Sequence, residues 1–243
     1  MHGNKMTSIF RKRFIPVSIL LICILAGCDR DKRDFYFPLA EGQYWRYVMS
    51  YKTMDGTFKG IYAAENLKQT RKNEELLYVR KLLDGSLNYF RITAEGIVLV
   101  AREKTVNLKT EYTEEGHYIF HFPLQVGTEW HDSTISKALI KTGPPQKTEF
   151  HIVAEIPVMA SIASMTDTVR VPAGTFEKCM RVNIVGDAFT NAGNYVGLTV
   201  VKINETNWYA PGVGLVKSVR HESTKSKALD QGEILLELES YHL

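Results

Sequence analysis

Apolar and polar residues alternate along most of this chain with a period of two. Trp45, Tyr47, Met49 and Tyr51 fall on one phase, Arg46, Ser50 and Lys52 on the other, and Val48 is the one apolar residue on the outer phase. That pattern marks a half-buried strand. Asp55-Gly56 follows, a favoured pair for a tight hairpin because both central residues must accept positive φ. Residues 76–83 and 87–92 flank a second turn at Asp84-Gly85, and Ala94-Glu95-Gly96 leads into residues 97–101. Short apolar runs at spacings of about eight to twelve residues, separated by Gly-containing turns, predict an antiparallel meander.

The second half repeats the grammar. Residues 150–156 read as a strand ended by Pro157, and residues 169–171 stop at Pro172-Ala173-Gly174. Met180, Val182 and Ile184 resume the alternation, residues 195–203 are rich in Val, Thr and Leu, and Gly212 and Gly214 bracket Val213 before residues 215–219. Glu233, Glu237 and Glu239 alternate with Ile234, Leu236 and Leu238 in a last strand. Residues 66–73, 133–145 and 161–168 lack clear strand character; the first reads as a short helix or a loop. The expectation is one mainly β domain over residues 37–243, an antiparallel meander forming a curved sheet or half-open barrel.

One segment echoes another. Phe37-Pro38-Leu39, Gly42 and Trp45 reappear at identical spacing as Phe122-Pro123-Leu124, Gly127 and Trp130. Pro fixes φ, Leu packs, Gly permits the turn and Trp begins a strand on the buried face. The echo stands for two duplicated halves or for one local solution used twice. The second is favoured, because no similarity extends past either Trp. Both tryptophans are expected to be buried at equivalent strand starts.

The N-terminus changes the picture of where the chain resides. Lys5, Arg11, Lys12 and Arg13 precede a short apolar run over residues 14–25, interrupted by Pro16 and Ser18, and Leu25-Ala26-Gly27-Cys28 follows. A basic segment, an apolar segment and small residues at a cleavage site make a secretory signal peptide. The run is shorter than the roughly 20 residues needed to span a hydrocarbon core. Residues 1–27 are therefore read as signal peptide and residues 28–36, densely charged, as a tether. Taking the four basic leader residues from 30 Lys+Arg leaves 26 against 27 Asp+Glu, a net charge of −1. That balance gives no electrostatic case for a nucleic-acid partner. Of the three cysteines, Cys23 leaves with the leader, so Cys28 and Cys179 remain. A domain of this size buries a sufficient core without disulfides.

Leu25-Ala26-Gly27-Cys28 resembles the lipobox of bacterial lipoproteins. The resemblance implies cleavage before Cys28, diacylglycerol on its sulfur and acylation of the new amino group, hence a membrane anchor in the cell envelope. The N-terminus is similar to that of enterobacterial lipoproteins. In that setting Asp29, directly after the cysteine, implies retention at the periplasmic face of the inner membrane rather than transfer to the outer one. Further along, Val171-Pro172-Ala173-Gly174-Thr175-Phe176, residues 208–217 (Trp-Tyr-Ala-Pro-Gly-Val-Gly-Leu-Val-Lys) and Glu237-Leu238-Glu239-Ser240-Tyr241 resemble marker segments of uncharacterised β-rich envelope lipoproteins. That group has a looser likeness to the incomplete β-barrels of lipoprotein carriers, which enclose an apolar cavity. The likeness implies a fold and not an activity.

Candidate chemistry is sparse. His117 and His121, four apart on a strand, would share a face about 13 Å from each other, too far for one metal. With His131 and His151 they read as surface histidines, and no metal or cofactor is expected. No Gly-x-Ser-x-Gly occurs, and Gly212-x-Gly214 lacks the third glycine of a dinucleotide fingerprint. Glu74-Glu75 and Glu114-Glu115 sit beside turns and read as solvated. Cys179 falls off the core phase with Arg181, and Arg181 and Lys178 would lower its pKa. With no catalytic residues to name, the expectation is a non-enzymatic envelope lipoprotein that binds a hydrophobic ligand or another envelope protein. The alternative is a structural or assembly lipoprotein without a small-molecule ligand, and an enzyme of unknown class comes third. The aromatic residues either fill a β core with cross-strand pairs or line a groove for an acyl chain.

Overall fold

The alternating segments pair into one antiparallel sheet of twelve strands that curls into a nearly closed barrel with a single seam. The computed structural model describes residues 35–105, 110–143, 148–152, 155–191 and 196–243. Cys28 and Asp29 lie outside the described residues. The first six strands are β1 (Tyr44–Thr53), β2 (Gly56–Lys72), β3 (Glu75–Leu82), β4 (Leu87–Ile92), β5 (Gly96–Glu103) and β6 (Thr110–His121). After β7 (Glu129–Ile135) comes a separate small hairpin, β8 (Ile140–Gly143) and β9 (Thr148–His151). Then follow β10 (Glu155–Val171), β11 (Gly174–Asn191), β12 (Leu198–Ala210), β13 (Gly214–Thr224) and β14 (Gln231–His242).

The order in the sheet is β6-β5-β4-β3-β2-β1-β14-β13-β12-β11-β10-β7. It is two six-stranded meanders joined where β1 ladders with β14, from Tyr44↔His242 to Lys52↔Glu233. The echoed segments open the two meanders. Gly42 N donates to Asn66 O and Asn66 N to Gln43 O, while Gly127 N donates to Ile162 O and Ile162 N to Thr128 O. The same two-bond clamp thus ties each segment to the partner of the strand it leads into, β2 beside β1 in one half and β10 beside β7 in the other. Gly42 and Gly127 both take positive φ, 82° and 90°, which a side chain would oppose. Trp45 and Trp130 are each the second residue of their strand and are 2% and 6% exposed. An identical hydrogen-bond device thus heads each meander, the arrangement that duplicated halves and one local solution used twice would both give.

Three corrections to the sequence-based expectations concern strand continuity. Residues 66–72 belong to β2, and residues 161–168 to β10, which also runs through Pro157. Lys68–Lys72 are exposed, so neither phase carries an apolar signal there, and backbone pairing alone makes the strand. In β10, register shifts between Ile162 and Ser164, Ser164 and Asp167, and Asp167 and Val169 break the alternation, as β-bulges do. The first hairpin turn is centred on Met54-Asp55, with Thr53 opposite Gly56, one residue earlier than expected.

The barrel is plugged at both ends. At one end Phe37 and Leu39 enter the lumen, where the Phe37 ring meets Phe90 and Phe120 edge-on at 5.1 and 6.1 Å. At the other, Leu139, Ile152 and Leu229 pack on Ile156, Val158, Val201 and Ile203. A third cluster joins Trp45, Tyr47 and Leu238 to Val169, Val171 and Cys179.

Candidate functional site

Between the two plugs the lumen is not filled. One cavity of about 380 Å³ lies behind the seam and is lined from β6 by His117, Tyr118 and Ile119 and from β7 by Trp130, Asp132 and Thr134. A second, of about 200 Å³, lies beneath the Phe37 plug against Trp45, Tyr47, Tyr62, Arg80 and Phe90. Leu99, Arg102, Ile119 and Tyr209 form walls of both, so the two adjoin. Period-two geometry explains the lining: Glu205, Asn207 and Tyr209 on β12 and Val182 and Ile184 on β11 occupy the inward phase of their strands.

The seam is held by side chains. Among the described residues β6 and β7 share no ladder. Instead Trp130 Nε1 donates to Tyr118 O at 3.2 Å, and His117 Nδ1 lies 2.7 Å from Asp132 Oδ1. His117 is therefore no solitary surface histidine; it bridges the barrel's one unpaired junction beside the larger cavity. A register shift between Ile97 and Val98 opposite Tyr118 and Phe120 breaks the alternation that would put His117 and His121 on one face. The His121 ring packs tilted against Tyr118 at 5.1 Å, and its Nδ1 lies within hydrogen-bond distance of Phe122 O. His131 is exposed, and the side chain of His151 lies outside the described residues. Among the described residues no group of three or more His, Cys, Asp or Glu is arranged to hold a metal ion.

At the far end of the larger cavity sits a buried charge network that sequence reasoning missed. Glu222, with a fully buried side chain, accepts from Arg220 Nε at 2.5 Å, Ser136 Oγ at 2.7 Å, Ala138 N at 2.9 Å and Lys137 N. Arg220 also donates to Glu205 at 2.7 Å and to Ile135 O at 2.7 Å. Burial alone would raise the Glu222 carboxyl, but Arg220 and the donors from Ala138, Ser136 and Lys137 together hold it below the ordinary carboxylate range. The network straps residues 135–138 across the barrel mouth. Asn207 donates to Glu205 at 2.7 Å, while its buried Oδ1, on the cavity lining, has no partner among the described residues. Neighbouring Ser133 donates its hydroxyl to Glu155. The carboxylates near the larger cavity are thus each engaged: Asp132 with His117, Glu155 with Ser133, Glu205 and Glu222 with Arg220.

The smaller cavity is different in kind. Arg80, from β3, lies over the Phe37 ring at 4.1 Å, Trp45 at 4.7 Å and Phe90 at 5.5 Å. Its Nε donates to Asn66 Oδ1 at 2.8 Å and its Nη2 to Pro38 O at 2.7 Å. Burial pulls its pKa down to about 10, which leaves it protonated at neutral pH. Among the described residues no Asp or Glu lines this chamber.

Cys179 corrects a further expectation. Lys178 takes positive φ (54°), and Cys179 pairs with Asp167 at a register shift. Both Cys179 and Met180 are consequently buried. Burial first, and Asp167 second, push the thiol up to about 11, opposite to the lowering expected from Arg181 and Lys178. At pH 8 the thiol is protonated and enclosed. Iodoacetamide should therefore modify Cys179 only as fast as the domain opens, with urea accelerating it steeply; rapid labelling of native protein at pH 8 would contradict the enclosure.

No family model matches the chain, and no curated protein matches it. Solved structures similar to it include a candidate exported protein of Bacteroides fragilis with a YmcC-like fold, 16% identical, with 86% of this chain and 99% of that one covered at a TM-score of 0.39. A candidate lipoprotein of Parabacteroides distasonis is 13% identical over 86% of this chain and 98% of that one, also at 0.39. A candidate outer-membrane lipoprotein-sorting protein domain of Vibrio parahaemolyticus is 8% identical over 83% and 85%, at 0.27.

Proposed function

We propose that this protein is a non-enzymatic, lipid-anchored lipoprotein of the bacterial cell envelope that holds a hydrophobic ligand inside its barrel. The observation that carries the ligand reading is the pair of adjoining cavities of about 380 and 200 Å³ between the two plugs, whose apolar walls include Leu99, Ile119, Val182, Tyr209 and the rings around Trp45. Their combined size lies in the ordinary range of small-molecule sites, about 300–1,000 Å³. The seam offers the entrance: β6 and β7 are joined there by side chains rather than by a ladder. The engagement of each carboxylate lining the larger cavity, Asp132, Glu155 and Glu205, favours binding over catalysis. The test is native mass spectrometry of the protein purified from membranes. A copurifying hydrophobic small molecule is expected; reproducibly ligand-free protein that also takes up none when offered membrane extract would defeat the reading.

The anchor is testable separately. A diacylglyceryl group plus an amide-linked chain on Cys28 exceeds the two-signal threshold for stable attachment. Cys28→Ala should block processing or leave unlipidated protein, and wild type should fractionate with the inner membrane on sucrose gradients while Asp29→Ser shifts outward. Wild type in the outer-membrane fraction would refute the retention role of Asp29.

One observation favours a second reading, binding of another envelope protein. Val185, Phe189 and Leu198 share the outer face of the β11–β12 pair, with Phe189 70% and Leu198 68% exposed. Large exposed apolar side chains grouped on one face mark interaction surfaces. Phe189→Ser with Leu198→Ser would abolish a partner's crosslinks under this reading and leave the copurifying ligand in place under the first.

A further inference from the structure

The smaller cavity carries information about the ligand's charge. Arg80 is half-buried and lines this chamber. A guanidinium has five donors; two of Arg80's nitrogens are engaged by Asn66 and Pro38, and no carboxylate pairs with it among the described residues. A buried cation without a counter-charge is costly unless something compensates it. Three aromatic faces do so in part. Arg102, the second cation of the lining, adds to the same positive field.

Beyond Asn66 and Pro38, the neutral side chains around Arg80 can donate hydrogen bonds. Tyr62 and Tyr209 turn toward this chamber, and neither hydroxyl has a hydrogen-bond partner among the described residues. Asn88 stands directly across from Arg80 in the β3–β4 ladder, within about 5 Å at Cβ for a cross-strand pair. Tyr47 is already committed, donating to Leu215 O at 2.9 Å. The larger cavity next door sets Asp132, Glu155 and Glu205 among its cations, whereas the lining of the aromatic chamber holds Arg80 and Arg102 and, among the described residues, no carboxylate.

Resting on the ligand-binding reading above, we propose that Arg80, with Arg102, is the anion-binding end of the cavity, so that the ligand is an anionic amphiphile. A carboxylate or phosphate head meets the Arg80 guanidinium and the Tyr62 and Tyr209 hydroxyls. The apolar body runs past Leu99 and Ile119, the shared walls, into the larger cavity toward the seam. The head group and a free anion share one chemistry at Arg80, and the body distinguishes them.

The experiment uses the full-length lipoprotein in lipid nanodiscs, with empty nanodiscs as the blank, and reads quenching of tryptophan fluorescence on titration with octanoate, octanol or inorganic phosphate; Trp45 lies 4.7 Å from Arg80. Octanoate should bind about tenfold or more tighter than octanol, the span of a charge-assisted hydrogen bond. Arg80→Gln should erase that preference while leaving octanol binding in place. Asn88→Asp, nearly isosteric, places a carboxylate opposite Arg80 and should erase it too, so it decides the matter if Arg80→Gln does not fold. Equal binding of octanoate and octanol by wild type would overturn the charge assignment and leave the hydrophobic-ligand reading standing. Survival of the preference in either folded variant would overturn the assignment equally. Inorganic phosphate binding as tightly as octanoate would overturn the amphiphile in favour of a free anion. Absence of binding by all three would overturn this inference, the copurification result then judging the broader reading alone.

Discussion

Glu222→Ala should cost about 3–5 kcal/mol, the loss seen when one partner of a buried ion pair is removed, against a typical total of about 5–15 kcal/mol. The carboxylate is the meeting point of one guanidinium, one hydroxyl and two backbone amides. Removing it strands the Lys137 and Ala138 amides and leaves Arg220, 4% exposed, with Glu205 as its remaining acidic partner. Ala138 and Leu139, both fully buried, would lose the strap that seats them in the barrel mouth. Urea unfolding of wild type and variant measures the difference. A loss under about 1 kcal/mol would show that the strap is held by packing instead.

The same carboxylate should make the fold acid-sensitive in a defined direction. The Glu222 pKa is lowered in the native state. A lowered native pKa means stability that is fully present above the unfolded value of about 4.3 and is lost as pH falls through the native value. The stability gap between wild type and Glu222→Gln should therefore narrow as pH drops below about 4. A gap that stays constant from pH 7 to pH 3 would mean that Glu222 binds its proton equally in both states.

How much of this was legible in the sequence depends on what each position faces. The β class, the meander and most turns are written in the alternation of residues such as Trp45, Tyr47, Val182 and Ile184, because an antiparallel strand with one wet face displays its phase. The extension of β2 through Lys68–Lys72 is not, because both faces there are wet. The path of β10 through residues 161–168 is hidden by register shifts that scramble the phase. Interior charges are hidden for another reason. Leu77 and Val79 are buried on the opposite phase to Arg80, so alternation assigns Arg80 outward, whereas Tyr78 and Leu82, on the same phase as Arg80, pack on the core clusters. Arg220 and Glu222 read as a solvated pair two residues apart; only their partners at positions 134–138, far away in sequence, reveal them as interior. By contrast, the outward phase of β14 is honest: Glu237 and Glu233 pair across the ladder with Lys217 and His221 at 2.8 and 3.1 Å.

The two tryptophans of the echoed segments should separate strength from closure. Either Trp45→Ala or Trp130→Ala should cost about 3–5 kcal/mol, the range for a large buried aromatic. Their polar ends differ in what they fasten. Trp45 Nε1 donates to Val213 O at 2.7 Å, in a region where β1 is already laddered to both β2 and β14. Trp130 Nε1 donates across the seam to Tyr118 O, where no ladder stands behind it. Replacing only the donor, by Trp→Phe, should therefore act differently at the two sites. Trp45→Phe should lower global stability by about 1 kcal/mol, the net worth of one hydrogen bond, without changing which amides exchange first. Trp130→Phe should loosen β6 from β7, so that amides of residues 117–121 and 130–134 exchange by local opening while the β1–β14 amides stay protected. If the seam is also the ligand's way in, Trp130→Phe should speed ligand release in step with that local exchange. Equal exchange at the seam in wild type and Trp130→Phe would show that the His117–Asp132 pair alone keeps the barrel shut.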